Sequence, residues 1–115
     1  MIAIFGDSIA VGHIDDQGGW PARLQAYFGK LFLSGKIDDT QSVHNFSVSG
    51  ETSEWILPRA LYELDNVSWD DPRIVIVSLG TNDSAWLMNE NRHQVPLESF
   101  QKNIQTILDK ALEYE

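Results

Sequence analysis

The first residues constrain the fold most: Ile2-Ala3-Ile4-Phe5 is an unbroken apolar run that ends at Gly6. Four consecutive apolar side chains leave no face for water, so the run reads as a short strand covered on both sides, the kind found at the centre of a parallel sheet. Such a strand carries Asp7 and Ser8 to the carboxyl edge of the sheet, where open α/β folds bind their ligands.

Two later segments repeat the device. Residues 44–48 form a weaker strand pattern leading into Ser49-Gly50-Glu51-Thr52. Arg73-Ile74-Val75-Ile76-Val77-Ser78-Leu79-Gly80 is a β-branched run for which both faces are expected to be covered, and it opens into Thr81-Asn82-Asp83. Between the strands lie helical patterns. Residues 9–19 are rich in glycine and aspartate and read as a loop, after which Trp20-Pro21 begins a helix with proline in its first turn. Trp20, Leu24, Tyr27, Phe28, Leu31 and Phe32 make its apolar face, and Gly35 is its stop. Thr52-Ser53-Glu54 offers N-caps for a second helix carrying Trp55, Ile56, Leu57, Leu61 and Leu64. Pro58 interrupts it, so the segment reads as two short helices or one bent one. Residues 66–72 read as a turn and 89–94 as a polar segment. A last helix over about 96–112 has Leu97, Phe100, Ile104, Ile107, Leu108 and Ala111 on one face.

Strand, helix, strand, helix, strand, helix predicts right-handed crossovers and an α/β fold with a parallel sheet between helical layers. At 115 residues the chain is a single domain. The formal charge of −9, with eight scattered Lys and Arg, argues against a nucleic-acid partner. The chain has no cysteine, hence no thiol nucleophile or thiolate metal site, and no apolar run approaches the ~20 residues of a membrane helix. The first strand begins at Ile2 with no signal segment ahead of it, which makes a cytoplasmic location the expectation.

Three strands therefore end in glycine beside small polar residues, and in a parallel sheet those ends lie side by side. Any one of them alone is ordinary turn chemistry. Together, a serine hydroxyl, an exposed glycine amide and an asparagine carboxamide are the parts of an acyl-transfer site: an attacking oxygen and donors for an oxyanion. In this order the segments resemble the GDSL, or SGNH, hydrolase family. Gly6-Asp7-Ser8-Ile9 is similar to its first block, Ser49-Gly50-Glu51-Thr52 to its second and Gly80-Thr81-Asn82-Asp83 to its third, with Gly19-Trp20 opening the first helix as in that family.

The resemblance implies a flavodoxin-like three-layer sheet and a serine esterase that cleaves a carboxylic ester or thioester through an acyl-serine intermediate, without metal or cofactor. Ser8 would be the nucleophile. The amides of Ser8 and Gly50 and the side chain of Asn82 would form the oxyanion hole, with Gly6, Asp7, Gly80 and Asp83 as motif support, the two aspartates ordering their loops. Trp20 and Trp55 read as helix-face core and Trp86 as a cleft wall. The substrate class, among lysophospholipids, thioesters, acetylated sugars and aryl esters, stays open.

The family's fourth block, an Asp three residues before a His beyond a further strand, has no match: the chain contains no Asp-x-x-His. A serine needs an adjacent base. His44 falls at the wrong edge of the sheet, His13 follows Ser8 closely enough to line a cleft, and His93, with Glu90 three residues before it, superficially imitates the missing pair as a weak base candidate. The expectation is the amino-terminal part of a longer hydrolase domain, inactive by itself, whose third strand is covered by a further segment or a second copy. The alternative is a non-catalytic binding domain on the same fold.

Overall fold

The computed structural model describes residues 1–67 and 74–113. Its central strand is β1 (Ile2–Gly6), buried at every position. β2 (Val43–Asn45) and β3 (Ile74–Ser78) pair with it on either side, both parallel, giving the order β2-β1-β3. The register sets Ile2 opposite Val43 and Ile74, and Gly6 opposite Ser78. Although β2 is regular over only three residues, the ladder continues past it: Phe46 N donates to the Ile4 carbonyl at 2.8 Å and Val48 N to that of Gly6 at 3.1 Å. The longer strand expected over 44–48 is thus present as hydrogen bonds beyond the regular part.

The alternation of β1 explains why a fully apolar strand is needed here. Ala3 and Phe5 face one helical layer, where they pack with Ile56, Ala60 and Leu64 of α3 (Ser53–Asn66) and Ile107 of α4 (Leu97–Leu112). Ile2 and Ile4 face the other layer, meeting Ala10 of α1 (Ser8–Val11) and Trp20, Leu24 and Phe28 of α2 (Gly19–Leu33). Each face therefore loses water only because a different pair of helices covers it.

Several details differ from expectation. The loop read over 9–19 begins with a helical turn, because Asp7 caps α1: its carboxylate accepts from Ile9 N at 2.9 Å. The inward stripe of α2 is Trp20, Leu24 and Phe28, at spacings of four, while Tyr27 and Phe32 are exposed. Trp55 is not core. It is 67% exposed, one residue away from the buried stripe Ile56, Ala60, Leu64. Pro58 leaves α3 as a single helix. The polar segment at 89–94 folds into an antiparallel hairpin of β4 (Trp86–Leu87) and β5 (Arg92–His93), its turn carrying Asn91 at φ 50°. β3 meets both helical layers, Val75 and Val77 packing on one side and Ile76 on the other, but it is only half-buried because among the described residues its outer edge has no pairing strand. The turn at 66–72 and the first residue of the Arg73 run fall mostly outside the described residues.

Candidate active site at the strand ends

The three motif segments meet at the end of β1, and Gly6 is the reason they fit. A Cβ on Gly6 would lie 2.7 Å from Ala10 Cβ, 2.9 Å from Ser47 Oγ and 3.0 Å from the Ser78 carbonyl oxygen. Only a residue without a side chain lets both outer strands and α1 close on this point. Ser8 follows two residues later as the first residue of α1, half-buried, where first-turn amides have no acceptor within their own helix. Its carbonyl oxygen takes the amides of Gly12 at 3.0 Å and His13 at 3.1 Å.

On the β2 side, the chain turns between Val48 and Glu51, with Glu51 N donating to the Val48 carbonyl at 3.3 Å. Gly50 is the exposed corner of that turn, at φ 82°. Nothing would meet a Cβ there within 4 Å, so the conformation, not crowding, requires glycine. On the β3 side, Asn82 Nδ2 donates to the Glu51 carbonyl oxygen at 2.8 Å. That single bond joins the loops of the two outer strands across the end of the central one. Asp83, 3% exposed, accepts from Ser53 N at 2.8 Å and so caps α3 from another loop. Thr52, expected to cap that helix, makes no side-chain cap bond. Asn103 of α4 then donates to Ser53 Oγ at 3.1 Å, tying a third segment to the same corner.

Two grooves open on this region. One, of about 410 Å³, is lined by Ser8 with Ile9, Gly12, His13, Trp20 and Arg23, among others. The other, of about 250 Å³, is lined by Gly80, Asp83, Ser84, His93, Val95, Leu97 and Phe100. They share no lining residue, so His93 and Ser8 open into different grooves and His13 is the histidine beside Ser8. Among the described residues Glu90 and His93 hold other partners than each other. Glu90 is paired with Arg92 at 2.5 Å, and His93 Nδ1 lies 2.8 Å from the Ser84 carbonyl oxygen, which puts the proton on Nδ1 because a carbonyl only accepts. Trp86 lines neither groove and packs edge-on to the His93 ring, centroids 5.0 Å apart. His44 lies back along β2, opposite Ala3, stacked on Phe46.

Charge in the Ser8 groove is internally balanced. Arg23 and Asp15 pair at 2.5 Å, and that hydrogen bond, followed by the backbone amide of Gln17, holds the Asp15 carboxyl below the usual carboxylate range. Of the remaining large lining side chains, Ile9, Ile14 and Trp20 are apolar and His13 is polar.

Two residues with a part in this corner, Asn45 and Arg59, lie outside the motif segments. Asn45 donates to the Ala10 carbonyl at 2.9 Å and accepts from Ser47 N at 3.2 Å, fastening α1 to the β2 loop. Glu51 and Arg59 form a forked pair, eight residues apart in sequence and so outside any short-range pattern. For Asn45 a sequence signal existed, a carboxamide inside an otherwise strand-like stretch beside Phe46.

A family model for GDSL-like lipase/acylhydrolase proteins matches residues 4–114. Over 111 residues the chain is 37% identical to the isoamyl acetate-hydrolyzing esterase 1 homolog of Bos taurus, a match covering 93% of this chain and 39% of that protein. The Homo sapiens protein of the same name is 35% identical over 111 residues, with 93% and 40% covered. The crystal structure of AlinE4, an SGNH-hydrolase family esterase, aligns with a TM-score of 0.71 at 28% identity, covering 99% of this chain and 53% of that one. The chain thus spans about two fifths of the length of these curated relatives and about half of the solved esterase.

Proposed function

The chain belongs to the GDSL-like lipase/acylhydrolase family, and on that premise we propose that it carries the nucleophile and oxyanion hole of a serine esterase. The observation that carries the reading is the hydrogen bond from Asn82 Nδ2 to the Glu51 carbonyl. A carboxamide nitrogen has two N–H groups, and this bond uses one while fixing the direction of the other. Beside it, Gly50 presents an exposed amide with open space next to its α carbon, and Ser8 adds the first-turn amide of α1. The three are donors for the oxygen on which charge develops during acyl transfer.

In the step that follows from this arrangement, Ser8 Oγ attacks the ester carbonyl carbon and gives its proton to a base. The carbonyl oxygen becomes an oxyanion held by the Ser8 and Gly50 amides and Asn82 Nδ2. As the tetrahedral intermediate collapses, the carbon–alkoxy bond breaks and the alcohol leaves with a proton. Water then attacks the acyl-serine by the same route and releases the acid. Asp7 and Asp83 take no part in the bond changes; each holds a backbone amide that shapes its loop.

The Ser8 groove favours a small uncharged ester. Ile9, Ile14 and Trp20 give it an apolar lining, and the Asp15–Arg23 pair cancels its charges. Isoamyl acetate, the ester named for the relatives, has that character and is the first substrate to try. On the protein as encoded, Ser8→Ala should abolish turnover of a short aliphatic or p-nitrophenyl ester, and Asn82→Ala should lower kcat about 10²–10³-fold. Turnover that survives Ser8→Ala would overturn the reading, and a parent protein without turnover would leave a non-catalytic binding domain on the family's fold.

A further inference from the structure

The two ends of Glu51 serve different partners. Its carbonyl oxygen receives Asn82 Nδ2, and its carboxylate, on a residue 7% exposed, receives a fork from Arg59 of α3: Nε to Oε1 at 3.3 Å and Nη2 to Oε2 at 2.5 Å. The remaining arm of the guanidinium, Nη1, donates to the Phe46 carbonyl at 2.7 Å. Phe46 is where the parallel ladder runs on past β2, and Glu51 is where the turn through Gly50 ends. One planar side chain therefore grips both ends of the loop that carries Gly50.

We propose that Arg59 is a positioning residue for the oxyanion hole, fixing the Gly50 amide and the Asn82 carboxamide relative to each other by holding Phe46 and Glu51 in one fork. The inference rests on the esterase reading of Ser8, Gly50 and Asn82. Gly50 has no neighbour packed beside its α carbon, so its place depends on how the loop is held at either side. The free N–H of Asn82 points wherever the Glu51 carbonyl directs the carboxamide. Arg59 sets that carbonyl through the Glu51 side chain. α3, which bears Arg59, is itself capped by Asp83, the residue after Asn82, so the clamp is closed on both sides.

The alternative role for such a pair is plain stability, and physical chemistry separates the two. Desolvating a partly buried ion pair offsets much of its attraction, so replacing both members by apolar residues of similar size is often neutral for folding. Geometry is what an apolar pair would not restore. Lysine would not restore it either, since a single ammonium lacks the rigid fork needed to reach Glu51 and the Phe46 carbonyl together.

The test uses Arg59→Met, Arg59→Lys and the double variant Glu51→Leu with Arg59→Met, made in the protein as encoded. Each is followed by thermal unfolding, by ester turnover, and by the side-chain amide NMR signals of Asn82, assigned by their loss in Asn82→Ala. In the double variant Tm should stay near that of the parent while kcat falls about 10–10²-fold and KM stays within about twofold. The Asn82 signals should move to the positions of a solvent-exposed carboxamide, and Arg59→Lys should recover only part of the rate. If Arg59→Met fails to fold, the double variant decides. Folded variants with the Asn82 signals unmoved would overturn the proposal. A parent protein without any turnover would remove the esterase reading alone, because the Asn82 signals report the positioning independently.

Discussion

Gly50 and Asn82 show how a site is left available by the way its neighbours are bonded. A substitution at Gly6 would strike Ala10, Ser47 and Ser78, whereas one at Gly50 would strike nothing within 4 Å. The first glycine serves packing and the second a φ of 82°. Sequence alone reads both as a glycine after a strand. Ser8, Gly50 and Asn82 were legible because residue type and chain order suffice to place them at strand ends. Arg59 was not, since its partners Glu51 and Phe46 are brought near only by the fold. A prediction at this scale concerns Asp15. Its carboxyl is more acidic in the folded chain, first through the Arg23 hydrogen bond and then through the Gln17 amide. A folded-state pKa below the unfolded one adds stability above the unfolded value near ~4, and that stability is lost as pH falls through the lower folded value. The Tm difference between the parent and Arg23→Met should accordingly be present at neutral pH, small because both side chains are partly exposed, and gone at an acid pH that protonates Asp15 in both states. A difference that held constant down to that pH would contradict the assignment.

At the scale of elements, burial overrides local preference in α3. Pro58 lacks the N–H that the Glu54 carbonyl would accept, and an interior proline costs up to about 3 kcal/mol. The helix runs on to Asn66 nonetheless, because Ile56, Ala60 and Leu64 lie on one stripe against β1. Pro58 is on the exposed side, so Pro58→Ala should raise stability by about 1–3 kcal/mol in urea unfolding; an unchanged or lower midpoint would mean that the ring makes a favourable contact of its own. The same stripe explains why Trp55 was misread. Apolar residues at 55, 56 and 57 leave the helix phase undetermined until the Ala60 and Leu64 positions are seen to face the sheet. The β4–β5 hairpin was illegible for another reason. Its strands are two residues each and held by the contact of Trp86 with His93, and neither leaves a period-two pattern long enough to read.

For the whole molecule, the three-layer order was legible because β1 is apolar at every position and so demands cover on both faces. The exposure of β3 was not, since a β-branched run reads the same in the middle of a sheet as at its rim. Among the described residues β3 is bonded only to β1, and Ile74 is 44% exposed. An unpaired apolar edge invites pairing with a second copy. Concentrated solutions of the 115-residue chain should therefore associate in sedimentation velocity, and Ile74→Lys should weaken that association. A chain that stays monomeric over the whole concentration range would contradict this. The central claim, that the strand ends assemble around a nucleophilic Ser8, is tested most directly by treating the protein as encoded with a serine-directed phosphonate and locating the adduct by peptide mass spectrometry. The account predicts one adduct, on Ser8, absent from Ser8→Ala and slowed in Asn82→Ala. No adduct, or an adduct on another serine, would contradict it.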